Sequence, residues 1–340
     1  MTMVQEKVSV PPTKVSQIMH GTWALQALRS AVELNFFAQL EKGPLDSASI
    51  AAVCDTDRRA TEMLLDAVAG LGLIIKEGNT YSLSDEAKVY LAPSSALYMG
   101  NYVQQNDAID SMWKGLSDTV KTGRPAKTVN TDEQAQQFFP RLAEAIFPLS
   151  FAVAQQVSDK LKVEMEPGSR ALDVAAGAGT WSIPMALDNP SLHVDALDFP
   201  SILEVTKKFV AQYGLAERYG YISGNWRNVS WQKDYYNLVL LGHILHSEGA
   251  ELSVKLLKRC FETMKSGGKI VVGEFITNNE RNGPAMAMLF GVNMLMHTEI
   301  GCVFSEQELR TLLQSAGFEN ITRLSLFGVA ESMVIIANKP

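Results

Sequence analysis

The sequence predicts an α/β fold in two parts. A Rossmann-like, seven-stranded, mostly parallel sheet occupies the second half, and a helical, winged-helix-like domain precedes it. Three observations predict this. From Arg170 onward short apolar runs alternate with segments of helical periodicity, the pattern of a parallel sheet covered on both faces. The first of those runs, ALDVA (171–175), leads directly into the small-residue turn AGAG (176–179). Before residue 110 the pattern is helical, interrupted only by two short extended runs within residues 73–84.

The elements follow in order. The opening MTMVQEKVSVPPTK has no apolar core of the kind a signal peptide needs, so residues 1–14 are expected as a flexible tail. Val15 to Leu40 carries Ile18, Trp23, Leu25, Leu28, Val32, Leu34 and Phe37 at helical spacing, which predicts one helix. Pro44 and Asp46 open a short helix over Ser47 to Val53, and a second runs from Arg58 to Leu71. LIIKEGNTYSLS (73–84) reads as two strands around an EGN turn. Two helices and a hairpin make a winged helix over residues 15–105. Polar residues 106–135 read as helix and linker, and Phe138 to Leu161 is again helical.

Residues 136–340 then form the sheet domain. Its strands are ALDVA (171–175), LHVDAL (192–197), YGYIS (219–223), YNLVLL (236–241) and KIVVGEF (269–275). ITRLSL (321–326) and SMVIIA (332–337) are expected to close the sheet as a hairpin.

Composition narrows the function classes. The chain is 46% hydrophobic and 20% charged with a formal net charge of −7, and no apolar run reaches the ~18 residues of a membrane span. Cys54, Cys260 and Cys302 are far apart and odd in number. They form neither a disulfide framework nor a metal-ligand pattern, so a cytoplasmic protein without a bound metal is expected. Winged helices often bind DNA, but residues 41–92 hold five basic against nine acidic residues. A groove-binding module needs a basic stripe to neutralise phosphates, so no nucleic-acid partner is expected. The first helix is more apolar than a small domain needs, which points to burial against a second copy of the chain in a homodimer.

LDVAAGAGTWSI (172–183) points to a cofactor site. Ala175, Gly177 and Gly179 let a ligand approach the backbone after the first strand, which carries Asp173, a further expected cofactor residue. The second strand ends in Asp198, followed by Phe199, where a carboxylate can accept both ribose hydroxyls of an adenosine. A dinucleotide site would add a third glycine and a phosphate seat. Here that position is Ser182, and the turn has no Lys or Arg. The ligand therefore has adenosine without pyrophosphate, which fits S-adenosylmethionine (SAM), with S-adenosylhomocysteine as product. The third strand leads to Gly224, Asn225 and Trp226. The Asn225 amide can pair with the adenine edge and Trp226 can stack on the ring. Leu241, ending the fourth strand, completes the expected cofactor set.

On these residues the chain resembles the O-methyltransferase family that includes plant caffeic acid and acetylserotonin O-methyltransferases, most closely its bacterial small-molecule branch. The matching segments are LDVAAGAGTWSIPMAL, LDFPSILEV, LVLLGHILH, MKSGGKIVVGEF with NNERNGP, and FSEQELRTLLQSAGF. AVELNFFAQLEKGPLD and LLDAVAGLGLI resemble that family's dimerisation domain. Two departures stand out: alanines at Ala175 and Ala176 where the family favours glycine, and Asn225 where it has an acidic residue.

The resemblance implies methyl transfer to a small aromatic or otherwise apolar acceptor. Such a transfer is an in-line displacement in which orientation dominates. A hydroxyl acceptor must also lose its proton, and a histidine is a suitable base for a phenol at neutral pH. The family's base position falls on His246, its flanking acid on Glu274 and its second acid on Glu299. His243 is a second candidate base or a substrate contact, and His297 a further substrate contact. Phe147, Phe151, Trp181 and Met294, the last from a Met-rich stripe over 284–296, are expected to line the acceptor pocket. N- or C-methylation by the same apparatus, and a SAM-binding relative with other chemistry, remain alternatives.

Overall fold

The computed structural model describes residues 10–125, 131–161, 166–326 and 333–340. Most of the expected tail and the loop of the C-terminal hairpin, as well as part of the expected linker, lie outside the described residues. The chain divides into two compact units, one up to Asp107 and one from Ala108 onward.

In the first unit the expected helix over Val15 to Leu40 is two helices, Thr13–Glu33 and Phe36–Leu40. Asn35 breaks it by taking a left-handed conformation at φ 61, which Asn tolerates better than most residues. The break divides the apolar residues by fate. Ala31, Val32, Phe36, Phe37 and Leu40 are buried with Leu65, Val68 and Tyr81 in the unit's core, while Val15, Ile18, Met19 and Trp23 face outward, Trp23 at 71% exposure. Helices Ser47–Cys54 and Arg58–Gly70 start where Asp46 and Asp57 accept the N–H of Ser49 and Ala60, each at 2.8 Å. The hairpin Ile74–Glu77/Thr80–Leu83 turns at Gly78, and Leu45–Asp46 adds a short third strand, unforeseen in the sequence.

The second unit carries the sheet, and its elements are numbered here from its own first long helix. That helix is α1 (Asp132–Leu161), with Pro140 and Pro148 inside it. It starts six residues before the expected Phe138, because Thr131 and Gln134 cap each other's backbone N–H at 3.2 and 3.3 Å. There follow β1 (Arg170–Val174), α2 (Ser182–Asp188), β2 (His193–Asp198), α3 (Pro200–Gln212), β3 (Tyr219–Ser223) and β4 (Tyr236–Gly242). Then come α4 (Leu245–Thr263), β5 (Met264–Glu274), α5 (Ala285–His297), α6 (Glu306–Ser315), β6 (Glu319–Leu324) and β7 (Met333–Asn338).

The sheet order is β6-β7-β5-β4-β1-β2-β3. β7 runs antiparallel to both neighbours, and the other pairings are parallel. β1 and β4 are adjacent although two strands separate them in the chain, so strand order reverses there. In such sheets ligands bind beyond the carboxyl ends of the strands at that reversal. Val174, Val239, Leu241, Ile270 and Val272 are fully or almost fully buried on the parallel strands, as strands covered on both faces require.

Candidate active site

The turn after β1 is held open by backbone conformation. Ala175, Gly177 and Gly179 have φ of 55, 57 and 74. A side chain at Gly177 would approach only the methyl of Ala143, at 3.6 Å, so this turn keeps space above it. Its Gly177 is fixed from two sides: its N–H donates to Asp198 Oδ2 at 2.9 Å and its carbonyl accepts from Thr206 Oγ1 at 2.6 Å.

Asp198, at the end of β2, is the charged centre of this region. Its second oxygen accepts the N–H of Phe199 at 2.8 Å, and the residue is buried. Burial pushes its carboxyl up to about 6, against the two backbone donors that pull it down. A buried carboxylate with two fixed donors keeps further lone pairs for hydroxyl donors. No Lys or Arg stands in residues 175–182, so a sugar diol fits here and a pyrophosphate does not. Below the turn, Asp173 accepts from Ser182 Oγ at 2.5 Å. Burial pushes Asp173 up to about 7; its bond to Ser182 opposes this and the charge of Asp198 adds to it. Asp173 thus braces the turn from beneath.

The other expected cofactor residues are placed unevenly. Gly224 donates its N–H to the Asp198 carbonyl at 2.9 Å, and its φ of 137 suits glycine. Asn225 is bound to Asp132 Oδ1 at 2.9 Å. Trp226 is buried in the core, with its indole N–H on Glu248 Oε1 at 3.1 Å; packing and this bond account for the ring. Leu241 is likewise a core residue.

Beyond β4 and β5 a second centre assembles. The Nδ1 of His246 lies 2.7 Å from Glu274 Oε2, and the His246 N–H donates to Glu274 Oε1 at 3.3 Å. Both residues are buried. Burial raises the Glu274 carboxyl, but the charge and hydrogen bond of His246, with His243 adding, bring it below the ordinary carboxylate range. An ionised Glu274 makes Nδ1 the protonated nitrogen of His246, leaving Nε2 free to accept a proton. His243 stands beside them with φ 63. Burial lowers it to about 4, with Glu274 opposing and His246 reinforcing.

Aromatic rings frame this centre. His246 meets the ring of Phe290 edge-on at 4.8 Å, Phe290 stacks on Phe275 at 4.0 Å, and Phe275 lies 5.0 Å from His243. Trp181 continues the wall, 5.7 Å from His243. Its indole lies across two bare strand ends. A Cβ on Gly242 would come within 2.1 Å of Trp181 Cδ1, and one on Gly273 within 2.3 Å of Cη2. Gly242 and Gly273 are register partners, so the pair forms a flat seat for the ring.

Phe275 escaped the sequence reading as a site residue, and Phe290 entered it only as one member of the apolar stripe over 284–296 expected to line the acceptor pocket in part. Phe275 had a signal, since it follows Glu274 at a strand end; Phe290 was indistinguishable from the rest of its apolar helix. Other expected residues stand elsewhere. Phe147 and Phe151 pack on each other at 4.8 Å, on Phe209 of α3 and on Tyr213 just after it, and among the described residues neither makes a ring contact to the histidine centre. Met294 is buried and His297 is tied by Nδ1 to the Asn293 carbonyl at 2.8 Å. Glu299 is exposed. Its loop returns to the centre through Cys302, whose N–H donates to the His246 carbonyl at 2.7 Å.

A doubly wound sheet of this strand order, with an open turn after its first strand and a buried carboxylate ending its second, defines the methyltransferase class that binds an adenosyl cofactor. Residues 113–319 match the family model of the O-methyltransferase domain, and residues 16–93 that of the O-methyltransferase dimerisation domain. The chain belongs to the O-methyltransferase family and is a SAM-dependent methyltransferase. It is 27% identical over 319 residues to a 3-hydroxy-5-methyl-1-naphthoate 3-O-methyltransferase of Streptomyces sahachiroi, covering 91% of this chain and 90% of the relative. It is 26% identical over 364 residues to an L-tyrosine C(3)-methyltransferase of Streptomyces lavendulae, covering 99% and 98%. Its fold is shared with the crystal structure of human N-acetylserotonin methyltransferase in complex with SAM, at a TM-score of 0.81 and 23% identity over 100% of this chain and 99% of that one. Among the described residues no helix is long and apolar enough to cross a membrane.

Proposed function

We propose that the chain methylates a hydroxyl of a small aromatic or apolar metabolite, with His246 as general base and Glu274 as the residue that orients it. The observation that carries this reading is the buried His246–Glu274 pair. Glu274 fixes the tautomer in which Nε2 accepts the acceptor proton, and it stabilises the imidazolium once formed. Phe290, edge-on to the His246 ring, and Phe275, stacked on Phe290, supply apolar surface near that imidazole for a planar acceptor. Asp198 holds the ribose, and Gly177, Gly179 and Phe199 shape the cradle around it. SAM supplies an electrophilic methyl on a sulfonium. The chain's own work is to align the acceptor with it, exclude water and take the proton. The protein acts as a homodimer joined through the dimerisation domain, whose exposed Ile18, Met19 and Trp23 form an apolar surface suited to a second copy.

A second reading is C-methylation, favoured by the likeness to the L-tyrosine C(3)-methyltransferase. There an electron-rich ring carbon attacks, and His246 serves to hold or deprotonate a neighbouring hydroxyl. Incubation with methyl-labelled SAM and a panel of phenols, hydroxynaphthoates and aromatic amines separates the readings. Label on a phenolic oxygen supports the first; label only on carbon or nitrogen overturns it.

A further inference from the structure

The three polar side chains beyond β4 and β5 make a donor set that proton transfer alone does not use. One ligand atom from each of His243, His246 and Glu274 lies within 4.8 Å of the other two. The His246 nitrogen nearest the carboxylate is Nδ1, at 2.7 Å. Neither ring nitrogen of His243 is firmly engaged: its Nδ1 is buried and has no hydrogen-bond partner among the described residues, although the residue as a whole keeps some exposure. Its Nε2 reaches Ser150 Oγ only at 3.5 Å. A buried nitrogen left unpaired is costly, and here it sits on a residue already held in the left-handed region at φ 63. Sterics and hydrogen bonding therefore both disfavour the arrangement, unless something else satisfies that nitrogen.

Two imidazoles and one carboxylate suit zinc-class transition ions, and the set has too few oxygens for magnesium or calcium. Zinc bonds of about 2.0–2.1 Å in tetrahedral geometry place ligand atoms roughly 3.4 Å apart. That separation lies between the 2.7 Å of the His246–Glu274 contact and the 4.8 Å bound of the cluster, so modest side-chain shifts close the site.

We propose that His243, His246 and Glu274 form a binding site for a single Zn2+-class divalent ion, and that filling it switches the methyltransferase off. In the ion-free protein Nδ1 of His246 carries the proton and donates to Glu274. Coordination through Nδ1 requires its lone pair, so the proton moves from Nδ1 to Nε2 of the same ring. No proton is lost from the imidazole and nothing is oxidised or reduced. Nε2 then cannot take the acceptor proton, and Glu274 is bound to the ion. Ion binding rests on the geometry of the three side chains. The switching-off rests on the reading of His246 as base.

Cobalt(II) titrated into the SAM-free protein tests binding without turnover. One equivalent should give the visible absorption of a four- or five-coordinate cobalt ion, and Zn2+ should displace it one for one. His243→Gln and Glu274→Gln should each weaken Co2+ binding by about 100-fold while a SAM titration shows the variant folded; the removal of lesser, outer-shell partners already costs 10–100-fold. The double variant Cys54→Ser/Cys302→Ser should bind Co2+ like the parent. Absence of the one-equivalent band overturns the site, as does its persistence in both ligand variants or its loss in the cysteine variant. Activity assays with and without Zn2+ test the second half: inhibition reversed by a chelator supports it. Full activity with the ion bound overturns the switching-off and the base reading together, while leaving the ion site standing.

Discussion

Replacement of Asp198 by Asn probes the cofactor assignment with little change of shape. The carboxylate accepts the N–H of Gly177 at 2.9 Å and of Phe199 at 2.8 Å. An amide has one acceptor oxygen for those two fixed donors and turns its NH2 toward one of them. Loss of charge-assisted acceptance from the ribose costs about 1.5–3 kcal/mol, which is about 10- to 150-fold in Kd. The pH dependence follows from burial, which holds this carboxyl up to about 6 in the free protein. Hydroxyl donors favour the ionised form, so cofactor binding lowers that value. Affinity should therefore be full above about pH 7 and fall as the pH drops through 6, by up to about tenfold per unit, with protons released on binding in that range. The Asn variant should show weak, pH-independent binding. Calorimetry in two buffers of different ionisation enthalpy reads both affinity and proton count. Equal affinity of parent and folded variant would refute the assignment, as would a parent affinity that stays flat from about pH 7 to 5.

Three further outcomes are expected. Asp173 has a folded value of about 7 against an ordinary value of 3.8. A raised carboxylate binds protons more tightly in the folded state, so its contribution to stability declines as the pH rises from about 4 to 7. The Tm difference between Asp173→Asn and the parent should grow in the variant's favour over that window, and a constant difference contradicts it. Gly242→Ala should destabilise by about 1–3 kcal/mol, because its methyl meets the Trp181 ring; Trp181→Leu should recover most of that loss in a double-mutant cycle of denaturant unfolding, and additive effects would sink the seat. Trp23→Glu places a charge among the exposed apolar residues of the first helix; sedimentation should show a dimer for the parent and a monomer for the variant, and a parent monomer would contradict the dimer.

The sheet was legible because its signals are local. A parallel strand buried on both faces reads as a short apolar run, as β1, β4 and β5 do, whereas exposed, antiparallel β6 was legible only as the first arm of the closing hairpin. Asp198 was legible for the same reason: a carboxylate directly after such a run stands at a strand end. Direction and partnership were not. Nothing local distinguishes a Trp226 ring offered to a ligand from one packed in the core with its N–H on Glu248. Phe147 and Phe151 show a helical stripe, but whether it faces α3 or an acceptor depends on how α1 packs. The break at Asn35 was hidden because apolar spacing continues across it. The Trp181 seat needs Gly242 and Gly273 side by side, and only the register of β4 on β5 joins them.

The central claim is that a base at His246, oriented by Glu274, takes the proton of an acceptor hydroxyl. The measurement that tests it most directly is single-turnover methyl transfer by His246→Gln, with an acceptor identified from the labelled-methyl panel. Glutamine roughly keeps polarity and volume and removes the base. The expected rate is lower by about 10²–10⁴-fold with SAM affinity unchanged. A folded variant that binds SAM normally and methylates the hydroxyl at nearly the parent rate would contradict it.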